Sequence, residues 1–179
     1  MGTGIIMCGL NGAGKSTLGK ALAKELGFYF IDNEDLYFPK NDPNYLYASP
    51  RTRKEVEVLL ESMINEHDDF VFASVRGDYD SIRPYFQYAV LISLSKDIRI
   101  ERIKKRSFQR FGDRMLPGGD LYEQEQKFFD FASSRAESLV EEWAESLSCP
   151  VIRVDGTKSV AENIKFIIAQ IQSKGELTN

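Results

Sequence analysis

A glycine-rich segment near the start of the chain leaves few choices of fold. It reads Gly9-Leu10-Asn11-Gly12-Ala13-Gly14-Lys15-Ser16, is followed by Thr17, and fits the pattern G-x-x-x-x-G-K-[ST]. Glycines let a backbone wrap closely around phosphate oxygens, and the positive N-terminus of a following helix faces the same anion. Lys15 can reach the β- and γ-phosphates, and the Ser16 hydroxyl can bind Mg²⁺. The segment therefore predicts a site for a nucleoside triphosphate with Mg²⁺.

Short apolar runs alternate with longer amphipathic runs on both sides of this loop. Strands are predicted at residues 4–8, 28–31, 70–74, 87–94 and 151–154, and helices at 15–26, 51–66, 96–108, 120–146 and after the capping box of Ser159 and Glu162. This alternation indicates a mainly parallel sheet covered on both faces. We predict one three-layer α/β domain over residues 1–179, with five parallel strands and a loose tail after Ser173.

The charge balance disfavours a general nucleic-acid binder. The chain has 23 Lys and Arg against 27 Asp and Glu, a formal net charge of −4 and a pI near 5.2. No apolar run reaches the roughly 18 residues of a membrane span, and the N-terminus lacks a signal-peptide pattern. The chain has two cysteines, Cys8 and Cys149, which lie in apolar segments and are expected to pack in the core. We expect a cytoplasmic protein, as a monomer or dimer, with no membrane partner.

The nucleotide is predicted to be ATP. A protein that selects guanine through an N-K-x-D segment would carry it after a late strand, and no such segment occurs in this sequence. The position after the fifth predicted strand reads Asp155-Gly156-Thr157-Lys158 instead.

A basic segment stands out in this otherwise acidic chain. Eight Lys or Arg and three acids occur from residue 96 to residue 114. Arg102, Arg106 and Arg110 are spaced four apart, so they share one face of a helix, and Arg114 follows Gly112. The segment is either a solvated basic helix or a mobile arginine clamp that neutralises a transferring phosphoryl group.

An acidic turn, Asp32-Asn33-Glu34-Asp35, follows the second predicted strand. Ligands of open α/β sheets sit at this carboxyl edge, so one of these acids can face the site. Asp32 is the preferred candidate because it ends the strand, but the choice among Asp32, Glu34 and Asp35 stays open. A helix cap or an exposed turn is the alternative.

Several other residues are candidates for an acceptor site. Arg51, Arg53 and Arg76 could bind an anionic acceptor or could be ordinary surface charges. An aromatic group could stack on a base or sugar, or could pack beneath a long loop; its members are Tyr37, Phe38, Tyr45, Tyr47 and Tyr79. His67 is expected to cap a helix end rather than bind a metal, because the chain has no second histidine.

With these motifs in this order, nearly the whole chain resembles the small P-loop kinases, the group of nucleoside-monophosphate, shikimate and gluconate kinases. The resemblance implies the strand order 2-3-1-4-5, an acceptor-binding insertion near residues 36–67 and a lid near 107–119. It implies that Asp32 lies near Mg²⁺ or the acceptor, Arg102 near the adenine and Arg106 at the phosphates. Gly156 and Thr157 would form the adenine-side loop. Ser74 ends the third predicted strand where many P-loop proteins carry a magnesium-binding aspartate.

The resulting function hypothesis is a kinase that transfers the γ-phosphate of Mg-ATP to a small molecule. Lys15, Asp32, Arg106 and Arg110 are the candidate catalytic residues, and Ser16 with Asp32 would bind the metal. The alternatives are a nucleoside-monophosphate kinase and an ATP-binding switch with little turnover. The sequence leaves open the acceptor and the roles of Arg51, Arg53, Arg76 and Arg114.

Overall fold

Five parallel strands form the centre of the protein in the computed structural model, which describes residues 2–173. They are β1 (Gly4–Cys8), β2 (Tyr29–Asp32), β3 (Phe70–Ala73), β4 (Phe86–Ser93) and β5 (Val151–Asp155). Their order is β2-β3-β1-β4-β5, and every neighbouring pair is parallel. The predicted order is confirmed, and each predicted strand end lies within one residue of the observed one. The prediction for the tail after Ser173 lies outside the described residues.

Helices cover both faces of this sheet. They are α1 (Lys15–Leu26), α2 (Asn33–Tyr37), α3 (Arg53–Glu66), α4 (Lys96–Phe111), α5 (Tyr122–Ser134), α6 (Ser138–Glu145) and α7 (Val160–Ser173), with 3₁₀ turns at Arg83–Tyr85 and Gly112–Met115. The capping box predicted for the last helix is present, since the Ser159 N–H donates to Glu162 Oε2 and the Glu162 N–H donates to Ser159 Oγ. Within residues 2–173, no helix combines the length and the apolar character needed to cross a membrane.

The side chains of β1 alternate between two hydrophobic cores. Ile5 and Met7 join the core beneath α1 and α7, whereas Ile6 and Cys8 join the core beneath α3 and α6. Successive side chains of a strand point to opposite faces, so a central strand covered on both sides must be apolar throughout. Both cysteines pack as predicted, with Cys8 buried and Cys149 partly buried against the same core. Burial raises the pKa of the Cys8 thiol to about 12.

The single helix predicted over residues 120–146 is wrong. The structure breaks it into α5 and α6, with Arg135 in an extended conformation between them. Arg135 turns away to donate a hydrogen bond to Asn11 Oδ1 at 3.0 Å, and neither glycine nor proline marks the break. At the predicted start of this helix, Asp120 accepts two hydrogen bonds from Arg114, and Leu121 occupies the N-cap position of α5.

Leu60 provides a test of the packing beneath α3. Its side chain is fully buried, and Leu60→Ala is expected to lower the free energy of unfolding by about 2–5 kcal/mol, because the substitution leaves a cavity. Val58 on the same helix is 51% exposed, so Val58→Ala should change that free energy by less than about 0.5 kcal/mol. Urea unfolding followed by circular dichroism measures both values. Equal losses in the two variants would contradict this description of the core.

Candidate active site

The glycine-rich segment forms the turn between β1 and α1, as predicted. Gly14 is the N-cap of α1 with φ 101°, and no side chain caps the helix, so its first backbone N–H groups point toward the loop. Gly12 has φ 84°, and a Cβ there would lie 2.5 Å from the Arg99 carbonyl oxygen. A side chain at position 12 would therefore clash with α4. The uncapped helix N-terminus and the tight loop have the form of an anion-binding cradle.

Lys15 lies across this cradle. Its Nζ donates to the Leu10 carbonyl oxygen at 3.1 Å. Enclosure lowers the pKa of the ammonium group to about 8, the Asp32 carboxylate opposes that change, and Arg106 adds to it. An ammonium group in this environment would be stabilised by an anion in the loop, so the residues present fit the phosphates of a nucleotide.

A cavity of about 730 Å³ opens beside the cradle. This volume lies within the usual range of roughly 300–1,000 Å³ for ligand pockets. Most of the predicted site residues line it, namely residues 11–17, Asp32, Arg102, Arg106, Arg110 and Gly156. The structure thus brings the phosphate loop, the acidic turn and the arginine face of α4 to one space.

The three arginines of α4 share a face and line the cavity, as their spacing indicated. Arg102 donates from Nη2 to the Gly156 carbonyl oxygen at 3.1 Å, which holds the loop after β5 against α4. Arg106 and Arg110 each lie 4.0 Å from a carboxylate oxygen of Glu34. The guanidinium of Arg110 also lies over the Tyr47 ring, 5.5 Å from its centroid. Arg106 and Arg110 therefore both lie beside Glu34, on the opposite wall of the cavity.

The predicted acidic turn is a short helix, α2. Asp32 is its N-cap, and Oδ1 accepts a hydrogen bond from the Glu34 N–H at 2.9 Å. Glu34 lines the cavity, whereas Asp35 is mostly exposed and forms a salt bridge with Lys40. Both Asp32 and Glu34 therefore face the cavity, and the sequence could not exclude either because three acids occur within residues 32–35, at the end of β2.

Mg²⁺ would find oxygen ligands in the Ser16 hydroxyl and the Asp32 carboxylate, the hard donors that this ion prefers. In the part of the chain that the structure describes, no group of three or more His, Cys, Asp and Glu could hold a metal ion by itself. Such a set fits an ion that takes its remaining ligands from phosphates and water, as Mg²⁺ usually does with nucleotides. The assignment of both residues to the metal stays a prediction.

Three residues predicted for the nucleotide are not among those that line the main cavity. Gly9, Leu10 and Thr157 line a separate cavity of about 450 Å³ behind the loop. The Thr157 hydroxyl is bound to Asp155 Oδ1 at 2.6 Å. A nucleotide can still contact the backbone of these segments, so their role stays a prediction.

The four arginines whose roles the sequence left open contact other protein groups. Arg51 donates to the Leu36 carbonyl oxygen at 2.8 Å, and Arg53 donates to the Asp78 carbonyl oxygen and lies over the Tyr79 ring. Arg76 pairs with Asp78 at 2.7 Å, and Arg114 pairs with Asp120 at 2.6 Å. None of the four is among the residues that line the main cavity. His67 caps the end of α3, as expected, and stacks on Tyr29.

Sequence reasoning missed several residues around the site. Glu125, Phe128, Lys158, Val160 and Asn163 line the cavity, and the carbonyl of Asn11 accepts from Arg99 Nη1 at 3.1 Å. Lys158 follows directly on the predicted adenine-side loop, so its position was a usable signal. No sequence signal distinguished Glu125, because it lies on a helix rich in acidic residues and packing decides which of them are buried.

Comparison with known proteins agrees with this description. A family described as AAA domain matches residues 5–112, which is more than half of the chain. The YqaC protein of Bacillus subtilis (strain 168) is 32% identical over 178 residues, covering 94% of this chain and 97% of YqaC.

Solved structures with the same architecture include two kinases. The shikimate kinase of Bacteroides thetaiotaomicron is similar with a TM-score of 0.61 and 17% identity, over 95% of this chain and 98% of that chain. A gluconokinase of Sinorhizobium meliloti 1021 is similar with a TM-score of 0.56 and 19% identity, over 97% of this chain and 94% of that chain. At these identities the likeness shows the fold, which is the one that the resemblance to small P-loop kinases implied.

Proposed function

Since the chain belongs to the AAA domain family and has the fold of the small P-loop kinases, we propose that it is an ATP-dependent phosphotransferase. It would move the γ-phosphoryl group of Mg-ATP to a hydroxyl of a small molecule. One observation carries this proposal: the phosphate loop, Asp32 and three arginines of α4 line the same cavity. A triphosphate in the loop would thus meet both a carboxylate and a mobile set of positive charges.

Each group has a proposed role in the transfer. The loop N–H groups and Lys15 would bind the β- and γ-phosphates, and Ser16 and Asp32 would hold Mg²⁺, which supplies positive charge that neutralises the phosphates. The acceptor oxygen forms a bond to the γ-phosphorus as the bond from that phosphorus to the bridging oxygen breaks, and ADP leaves. Asp32 receives the hydroxyl proton, which an ionised carboxylate at this edge is suited to do. Arg106 and Arg110 neutralise charge on the transferring group.

Closure of a lid would complete the site. We assign the lid to residues 107–119 and the acceptor-binding insertion to residues 36–67, within one domain over 1–179. Arg106 and Arg110 each lie 4.0 Å from a carboxylate oxygen of Glu34, and in the proposed closure they turn from Glu34 toward the phosphates. Closure around the reactants would exclude water, which otherwise competes as the acceptor.

The proposed nucleotide preference gives a prediction of its own. Because no N-K-x-D segment is present to bond guanine, ATP and dATP should bind more tightly than GTP, by about tenfold, the loss expected for one or two missing hydrogen bonds. Titration calorimetry with Mg²⁺ measures the three dissociation constants. A preference for GTP would overturn the assignment of ATP.

A coupled assay of ADP release tests the function across a panel of nucleoside monophosphates, nucleosides, sugars, sugar acids and amino alcohols. Release that depends on one acceptor supports the kinase. A nucleoside-monophosphate kinase would respond to a monophosphate, whereas an ATP-binding switch would respond to none. A monophosphate acceptor would need cations, but Arg51, Arg53 and Arg76 contact other protein groups. The alternative of a nucleoside-monophosphate kinase therefore has less support.

A further inference from the structure

The end of the cavity nearest the insertion is lined by aromatic rings and carboxylates. Tyr45 and Tyr47 come from the loop after α2, Glu34 comes from α2, and Glu125 comes from α5. If the protein is a kinase as proposed above, this end is where the acceptor binds. Its chemistry then decides which class of hydroxyl compound is accepted.

Glu125 is the least expected member of this wall. It is 1% exposed, yet it lines the cavity. Its Oε1 accepts a hydrogen bond from the Tyr45 hydroxyl at 2.9 Å. Among residues 2–173, no cationic nitrogen lies within 4.0 Å of it, although nine other ion-pair contacts are found there. A buried carboxylate is costly unless it is paired, so Glu125 is suited to a cationic partner.

Tyr45 does not supply that charge. Burial, with the hydrogen bond to Glu125, raises the pKa of the Tyr45 hydroxyl, so it stays a neutral donor. The Tyr45 ring lies 5.6 Å from the Tyr47 ring and 5.4 Å from the Phe111 ring, measured between centroids. The face of an aromatic ring attracts a cation through the ring quadrupole, and this attraction adds to that of a neighbouring carboxylate.

Glu34 adds a second negative charge once nucleotide is bound. Tyr47 donates to its Oε1 at 3.2 Å, and Lys40 lies 3.4 Å away. Its other cationic neighbours are Arg106 and Arg110, which the proposed mechanism moves to the phosphates. The acceptor end of the cavity would then hold two carboxylates, with Lys40 beside Glu34 but not among the residues that line the cavity.

The cations that would serve an anionic acceptor contact other protein groups. Arg51, Arg53 and Arg76 contact Leu36, Asp78 and Tyr79, as described above. Arg135 is bonded to Asn11 Oδ1 and lies over the Phe131 ring. With Arg106 and Arg110 at the phosphates, as the proposed mechanism has them, the charge of the acceptor end is opposite to what a carboxylate or phosphate acceptor requires.

From this charge distribution we propose that the acceptor is a hydroxyl compound that also carries a protonated amine. The ammonium group pairs with Glu125 and lies against the tyrosine rings, while the hydroxyl faces Asp32. Glu125 is then a specificity-determining residue. The expected acceptor differs in charge from gluconate and shikimate, the compounds that give the two structurally similar kinases their names.

The panel assay separates this inference from the proposed function. With Mg-ATP, amino alcohols and amino sugars should support ADP release, and glucosamine, glucose and gluconate form a matched set that differs in charge. Turnover with acids or neutral polyols but not with amines would overturn the inference and leave the kinase function standing. An absence of acceptor-dependent ADP release throughout the panel would overturn both.

Two matched variants test Glu125 itself. Glu125→Gln keeps an oxygen that accepts the Tyr45 bond but removes the charge, so KM for the amine should rise about tenfold or more, with KM for ATP unchanged. Tyr45→Phe keeps the charge and should raise that KM less than about threefold. Asp130→Asn, at an exposed position of α5, is the control and should have no effect. Equal effects of Glu125→Gln and Tyr45→Phe, with thermal melting lowered in both, would make Glu125 a structural residue and overturn the proposal.

Discussion

Replacement of Lys15 by alanine is expected to reduce phosphoryl transfer by about 10²–10³-fold or more while leaving the protein folded. The ammonium group lies in the phosphate cradle, bonded to the Leu10 carbonyl oxygen. Its removal takes away the positive charge closest to where the β- and γ-phosphates would bind. Lys15 belongs to neither hydrophobic core, and its enclosure disfavours the charged form, so the folded state loses little.

The assay measures ADP release and thermal unfolding of the same preparation. Lys20, an exposed lysine on the same helix, provides the control, because Lys20→Ala removes an equal charge outside the cavity. A folded Lys15→Ala protein that turns over at the parent rate would rule out the proposed cradle.

Asp32→Asn and Arg106→Ala are each expected to lower kcat by about 10²-fold or more, and to change ATP affinity much less. Asparagine retains the helix cap at the start of α2, since it is as good an N-cap as aspartate, but it cannot receive the acceptor proton. Arg106→Ala removes a charge that neutralises the equatorial oxygens only when the lid closes. The loop backbone still binds the phosphates in both variants.

Single-turnover kinetics with the identified acceptor distinguishes this account from a switch. In an ATP-binding switch, loss of Asp32 would mainly weaken Mg-ATP binding, and no acceptor would accelerate turnover. Lys105→Ala, one residue from Arg106 and exposed on α4, is the control for a change of charge. Transfer at the parent rate by both variants would show that these residues are wrongly assigned.

Much of the fold could be predicted because its signals are local. The bounds of α1 were predicted to the residue, since the glycine loop begins it and Gly27, with φ 72°, ends it. The alternation of strands and helices predicts a parallel sheet but not the order of its strands, which came from the resemblance to the small P-loop kinases. The arginine face of α4 follows from a spacing of four, which does not depend on the rest of the chain.

The missed features depend on contacts between distant segments. Arg135 breaks the predicted long helix to reach Asn11, which is 124 residues away. Glu125 is buried and accepts a hydrogen bond from Tyr45, which lies in a loop 80 residues earlier. Arg53 and Arg76 were candidates for binding the acceptor, but in the structure both contact Asp78. Such pairings have no trace in the local pattern of residues.

The central claim is that the γ-phosphoryl group of ATP ends on a small molecule. The direct measurement follows ATP labelled in its γ-phosphate through one turnover and locates the label by separating the products. The account predicts one labelled acceptor for each ADP formed, with Glu125→Gln lowering the yield for an amine-bearing acceptor at low concentration. Label recovered only as inorganic phosphate, at a rate that no acceptor changes, would contradict it.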